Sequence, residues 1–166
     1  MAELLSVRFR QITQADDLPL AKIIRDNLKA NGLDIPGTVY FDDNLNHLSD
    51  FYLVDSKSRF YYIVEDEASG AVLGGIGLAK IDIFDDCAEL QKLYLSDEAK
   101  GNGLGYKLID LVQKKAKELG YTKLYLETHD NLAVAIHEYE KSGFHEIERP
   151  KGVVHGAMNR FFLKDI

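Results

Sequence analysis

Glu89-Leu90-Gln91-Lys92-Leu93-Tyr94-Leu95, a short turn, and then Lys100-Gly101-Asn102-Gly103-Leu104-Gly105: the reading of this stretch decides the fold. Cys87–Leu95 reads as a strand and Ser96–Gly103 as a turn. Leu104–Leu119 reads as a helix, because Leu104, Leu108, Leu111, Val112, Ala116 and Leu119 recur at the spacing of one buried stripe. Lys107, Asp110, Lys114 and Lys117 fall on its other side, Gly120 ends it, and Lys123–Thr128 reads as the next strand. A strand, a tight glycine turn, a helix and a strand imply a right-handed crossover between parallel neighbours.

Upstream, Phe60–Glu65 and Val72–Ala79 are two strands whose loop, Asp66 to Gly70, has the length and composition of a β-hairpin. Val7–Ile12 alternates as an edge strand does. Thr13 can cap a helix with Asp16 three residues on, and that helix carries Leu18, Ala21, Ile24 and Leu28 on one face before stopping near Asn31-Gly32. A shorter helix is expected between Pro36 and Leu53. Downstream, Leu132–Ser142 reads as a helix ending at Gly143, and Phe144–Glu148 and Asn159–Leu163 as final strands. The expected architecture is α/β (α+β mixed) in one domain, 1–166. Its central sheet is mixed, mostly antiparallel and twisted, of about six or seven strands flanked by about four helices.

Bulk properties narrow the function. With 46% hydrophobic and 28% charged residues, the chain has the balance of a soluble globular protein. The net charge of -7 offers no basic field for a phosphate backbone, which argues against nucleic acid, and it favours approach by cations such as amines. The single cysteine, Cys87, allows no internal disulfide and reads as a small buried residue. The N-terminal Met1–Arg10 does not read as a signal peptide and no stretch reaches bilayer length, so a cytoplasmic location is expected. The five histidines show no metal-site pairing, and no metal is expected.

The glycine turn precedes a helix N-terminus, where unpaired N–H groups and a partial positive charge favour an anion. Glycines let the backbone curl and keep β-carbons out of a phosphate's way, and Lys100 adds a charge at the lip. A magnesium-nucleotide loop is excluded because Gly105 is followed by Tyr106-Lys107-Leu108, with no hydroxyl for the metal. A dinucleotide turn is excluded because Tyr106 stands where its last glycine is needed.

The strand Glu89–Leu95, the Lys100–Gly105 turn and the downstream block Ala135-Ile136-His137-Glu138-Tyr139-Glu140-Lys141-Ser142-Gly143-Phe144 together resemble the GNAT family of N-acetyltransferases. That family's turn is written Gln/Arg-x-x-Gly-x-Gly/Ala and its helix Ala-Ile-x-Leu-Tyr-Glu-Lys-x-Gly-Phe. Lys100 replaces the usual Gln or Arg, keeping charge but losing the planar fork. Asn131 lies one residue early for the family's coenzyme-contacting asparagine, with Leu132 in its place.

The resemblance implies acetyl transfer from acetyl-CoA to a primary amine, on a small molecule or a peptide, by direct attack in a ternary complex. A non-catalytic acyl-CoA sensor or interaction module is the alternative. It implies coenzyme contacts at Leu93, Tyr94, Leu95, Lys100, Gly101, Asn102, Gly103, Leu104, Gly105, Tyr106, Asn131 and Tyr139. Tyr139 would protonate the departing thiolate, Glu89 would act as base through water, and a backbone N–H of Leu93 or Leu95 would meet the carbonyl oxygen. His155 is a candidate for the acceptor pocket. Asp42, Asp43 and Asp50 read as a solvated face, and Phe51, Tyr52, Phe60, Tyr61 and Tyr62 as packing. Homodimers are common in the family.

Overall fold

Among the described residues, seven strands form one sheet: β1 (Val7–Gln11), β2 (Arg59–Asp66), β3 (Val72–Ile81), β4 (Cys87–Leu95), β5 (Lys123–Thr128), β6 (His145–Ile147) and β7 (Arg160–Asp165), in the order β1-β2-β3-β4-β5-β7-β6. The computed structural model describes residues 5–166, so part of the N-terminal stretch Met1–Arg10 lies outside the described residues. Every neighbouring pair is antiparallel except β4 and β5, which the crossover helix joins in parallel. The helices are α1 (Asp17–Ala30), α2 (Leu48–Leu53), α3 (Leu104–Glu118) and α4 (Ala133–Lys141). None of the described helices is long and apolar enough to cross a membrane.

Alternation along the strands supplies a core on each face. Val64, Ile76, Leu78, Ala88, Leu90, Leu124 and Leu126 point to one side, where they pack with Leu104, Leu108, Ile109, Val112 and Ala116 of α3 and Ile136 and Tyr139 of α4. Tyr61 and Ile63 of β2 point to the other, against Leu20, Ala21, Ile24 and Leu28 of α1 and Leu48 and Tyr52 of α2.

The α1 face differs from expectation: Leu18 is 66% exposed, while Leu20 is fully buried. The stripe is Leu20, Ala21, Ile24, Leu28, and Leu18 lies two residues, about 200° of rotation, from its leading member. Helix α2 is only one and a half turns, because the chain between α1 and α2 spends its length on two 3₁₀ turns, Val39–Phe41 and Leu45–His47. The last strand runs further than expected, to Asp165, since its ladder with β5 continues to Lys123.

Two irregularities break the regular ladder at the centre of the sheet. The first is a β-bulge in β4. Gly75 faces Tyr94 and Gly77 faces Gln91, so Ile76 alone opposes both Lys92 and Leu93. Lys92 takes up the extra residue with φ 51°, a left-handed conformation costing a non-glycine residue roughly 1 kcal/mol. Before the bulge Ala88 and Leu90 face α3; after it Leu93 and Leu95 do. The second irregularity is that β4 and β5 pair only over Cys87–Glu89 with Lys123–Tyr125. Beyond Glu89 the two strands part, and the sheet has a slot at its centre.

Candidate active site at the parting of two strands

At one end of the slot lies the glycine turn. A 3₁₀ turn (Asp97–Ala99) follows β4, and the backbone then curls through Gly101 (φ 80°) and Gly103 (φ 70°), the residue that caps α3. Their own chain neighbours aside, nothing among the described residues lies within 4 Å of where a β-carbon would stand at either glycine, so both face open space. Asn102 fixes the curl from inside, its Nδ2 donating to the carbonyls of Ala99 and Lys100 (both 3.1 Å). Lys100 Nζ lies 3.1 Å from Asp97 Oδ1 at the surface. Leu104 is buried, and Tyr106 is exposed on the outer side of the helix. An unpaired, glycine-curled helix N-terminus of this kind fits a pyrophosphate.

Gly105 faces α4 rather than the open curl. A β-carbon there would overlap the Glu138 carboxylate of α4, so α3 and α4 approach through this residue. Glu138 is half-buried, and burial raises its pKa.

At the other end, on the α1 side of the sheet, Glu89, Gln91, Lys92, Tyr94, Glu127 and His155 line a cleft with Leu28, Val39 and Met158. A buried tyrosine anchors it. The Tyr52 hydroxyl donates to Gln91 Oε1 (2.6 Å) and Gln91 Nε2 donates to Glu89 Oε1 (2.5 Å), which orients the carboxylate. Burial pushes the Glu89 carboxyl up to about 7; the Gln91 hydrogen bond opposes this and the nearby Glu127 adds to it. Glu127 in turn accepts from the Tyr125 hydroxyl (3.1 Å). The Tyr61 hydroxyl donates to the Lys92 carbonyl (2.8 Å), pinning the bulge.

His155 comes from the loop between β6 and β7 and bridges the cleft. Its Nε2 is 2.9 Å from Asp42 Oδ2 and its Nδ1 is 3.5 Å from Glu127 Oε1. Glu127 and Asp42 raise the His155 pKa, against the opposing effect of burial. The same two loops meet through the backbone, where Ala157 N–H donates to the Gly37 carbonyl (3.1 Å).

Tyr139 sits on the opposite face, buried with Phe144 and Phe162 at ring-centroid distances of 6.0 and 6.4 Å. Leu93 and Leu95 pack into the same cluster. Burial, then the neighbouring Tyr94 and Glu138, raise its pKa, so the phenol is a neutral donor at ordinary pH. Tyr94 thus stands between the Glu89 cleft on one face and Tyr139 on the other.

The sequence candidates therefore divide. Glu89, His155 and Tyr94 meet in the cleft, Tyr139, Leu93 and Leu95 lie across the sheet, and Lys100–Tyr106 form the glycine turn and the start of α3. Asn131 stands apart, its Nδ2 donating to the Asn31 carbonyl at the end of α1 (2.8 Å). Asp43 and Asp50 are exposed, as a solvated face implies, whereas Asp42 belongs to the cleft. Tyr52 and Tyr61 are core residues, as packing predicts, and their hydroxyls also hold Gln91 and the bulge. Gln91, Lys92 and Glu127 were not singled out by sequence. Simple strand alternation would send Lys92 to the α3 face, and only the bulge's register shows otherwise.

Comparison with known proteins identifies the family. The acetyltransferase (GNAT) family matches residues 25–144. An uncharacterised N-acetyltransferase of Escherichia coli (strain K12), YjgM, is 35% identical over 145 residues, covering 86% of this chain and 84% of its own. Among solved structures, a GNAT-family acetyltransferase of Staphylococcus aureus Mu50 superimposes with a TM-score of 0.81 at 23% identity, covering 96% of this chain and 99% of that one. The PaiA N-acetyltransferase of Thermoplasma acidophilum, solved in complex with coenzyme A, gives a TM-score of 0.75 at 21% identity over 98% of this chain and all (100%) of that one. The chain belongs to the acetyltransferase (GNAT) family and is an acyltransferase of that family.

Proposed function

We propose that the protein transfers an acetyl group from acetyl-CoA to a primary amine by direct attack in a ternary complex. The observation that carries this reading is the slot between β4 and β5, with a glycine-curled helix N-terminus at one end and a half-buried, near-neutral carboxyl at the other. The coenzyme complex of the Thermoplasma relative supports the choice of anion.

The backbone of Lys100–Gly105 would hold the pyrophosphate, with Tyr106 flanking it. Leu93, Tyr94 and Leu95, on the length of β4 without a β5 partner, would line the arm that reaches the centre of the sheet. When bound, the coenzyme supplies an activated thioester carbonyl. Glu89, poised near neutral pH, takes the proton of the attacking amine through a water. Tyr139, kept protonated by burial, gives a proton to the leaving sulfur. A backbone N–H of Leu93 or Leu95 stabilises the charge that develops on the carbonyl oxygen.

Melting curves test the coenzyme. Acetyl-CoA should raise the melting temperature, and neither ATP nor NAD should; stabilisation by ATP with no effect of acetyl-CoA would sink the reading. Thiol release from acetyl-CoA across a panel of amines then tests the reaction. Tyr139→Phe should slow it by about 10²- to 10⁴-fold with coenzyme affinity little changed, and an unchanged rate would remove Tyr139 from the chemistry.

A further inference from the structure

The bulge in β4 delivers a cation to a place where the strand pattern would not put one. Lys92 is half-buried, yet its side chain lines the cleft beside Glu89, Glu127 and His155. Its Nζ lies 6.0 Å from the centre of the Tyr52 ring, on the α1 face of the sheet. Leu93, the next residue, packs on the α3 face, so the lysine is turned away from the side where Tyr139 sits.

The ammonium has no ion pair within 4 Å among the described residues. The imidazole of His155, the other basic group of the cleft, is already held between Asp42 and Glu127. Burial lowers the Lys92 pKa, and Asp42, Glu89 and Glu127 pull it back up without any of them closing to an ion pair. A half-desolvated ammonium gains most from an anion brought to it, because such charge-assisted contacts strengthen where water is excluded. Glu89 and Glu127 meanwhile supply negative charge where an amine must arrive. The cleft is thus complementary to a molecule bearing both signs a few bonds apart. It is also roofed by two loops clasped through His155–Asp42 and Ala157–Gly37, which favours a small acceptor over a folded protein surface.

We propose that Lys92 is the specificity residue of the acceptor site, taking up the carboxylate of an amino-acid-like acceptor whose amine faces Glu89. This rests on the acetyltransferase reading and names the class of its second substrate. The side chain acts on binding and position, and the carboxylate stays unreacted while the amine is acetylated.

The test uses the full chain with acetyl-CoA and matched acceptors: the proteinogenic L-amino acids, their α-carboxamides and the decarboxylated amines. For the preferred amino acid, kcat/KM should exceed that of its amide and of its amine by about 10- to 100-fold. Lys92→Met should bring the acid down to the level of the amide, and Lys92→Arg should keep part of the preference. Coenzyme A should raise the melting temperature of Lys92→Met as it does the wild type, showing an intact fold and an intact cradle. Equal turnover of acids and amides, or an acid-to-amide ratio that Lys92→Met leaves unchanged, would overturn the role of Lys92 while acetyl transfer stands. Should no acceptor release thiol although coenzyme A binds, calorimetric titration of the same acids into the coenzyme A complex decides. Binding of an acid but not its amide, lost in Lys92→Met, supports the proposal, and its absence overturns it. No stabilisation by coenzyme A and no thiol release would instead reject the acetyltransferase reading itself.

Discussion

Glu89 illustrates how a residue is tuned by what lies around it. Its carboxyl is partly desolvated, oriented by Gln91 and crowded by Glu127, and its pKa is pushed up to about 7. As a base it works deprotonated, so kcat/KM should fall as pH drops below about 7 and rise towards a plateau above it. Glu89→Gln should abolish that limb along with most of the activity. The same shift bears on stability. A carboxyl whose folded pKa exceeds its unfolded value contributes stability fully below the unfolded pKa of 4.5, and loses it as pH rises through about 7. Glu89→Gln should therefore melt about 7–14 °C above the wild type near pH 9 and no higher than it near pH 4.5, by calorimetry. Glu89 was legible in the sequence because it opens a recognisable strand motif. Gln91, Lys92 and Glu127 were not, because their placement depends on a register shift and on a contact between strands distant in sequence. His155 reads from sequence as a candidate for the acceptor pocket, but its partner Asp42, 113 residues away in the chain, is visible only in the fold.

The elements were read more completely than the residues. The strands β2 to β5 and helix α3 follow directly from period and punctuation, since hydrophobic stripes and glycine stops are local signals. The segment between α1 and α2 was opaque because 3₁₀ turns carry no long period. The meeting of α3 and α4 falls where this chain departs from the family motif it resembles. The family's helix motif carries leucine where this chain has Glu138, and here that carboxylate lies against Gly105 in the first turn of α3. A negative charge at a helix N-terminus competes with any anion that binds there. Glu138→Leu should therefore tighten coenzyme A binding by about two- to fivefold in a calorimetric titration. Unchanged or weaker binding would show that the carboxylate and the pyrophosphate do not share the helix end's field.

Across the whole molecule, the two ends of the chain cooperate to close one cleft. The loop after α1 supplies Asp42 and Gly37, and the loop before β7 supplies His155 and Ala157. Glu127 and Asp42 raise the His155 pKa above its ordinary 6.5, so the clasp is held by a charged pair below 6.5 and weakens as pH rises through the raised value. His155→Ala should raise the KM of the acceptor about three- to tenfold and leave that of acetyl-CoA unchanged, and equal effects on both would place His155 outside the acceptor side. The slot itself has a consequence in time. Amides in the middle of a sheet are ordinarily the slowest to exchange their hydrogens, since a partner strand holds each of them until the fold opens. From Leu90 to Leu95, β4 is central in strand order yet bare on its β5 side, so its amides facing the slot should exchange with deuterated water as an edge strand's do. A ligand lying along that strand would take the missing partner's place, and the slowing of those few amides would be its signature.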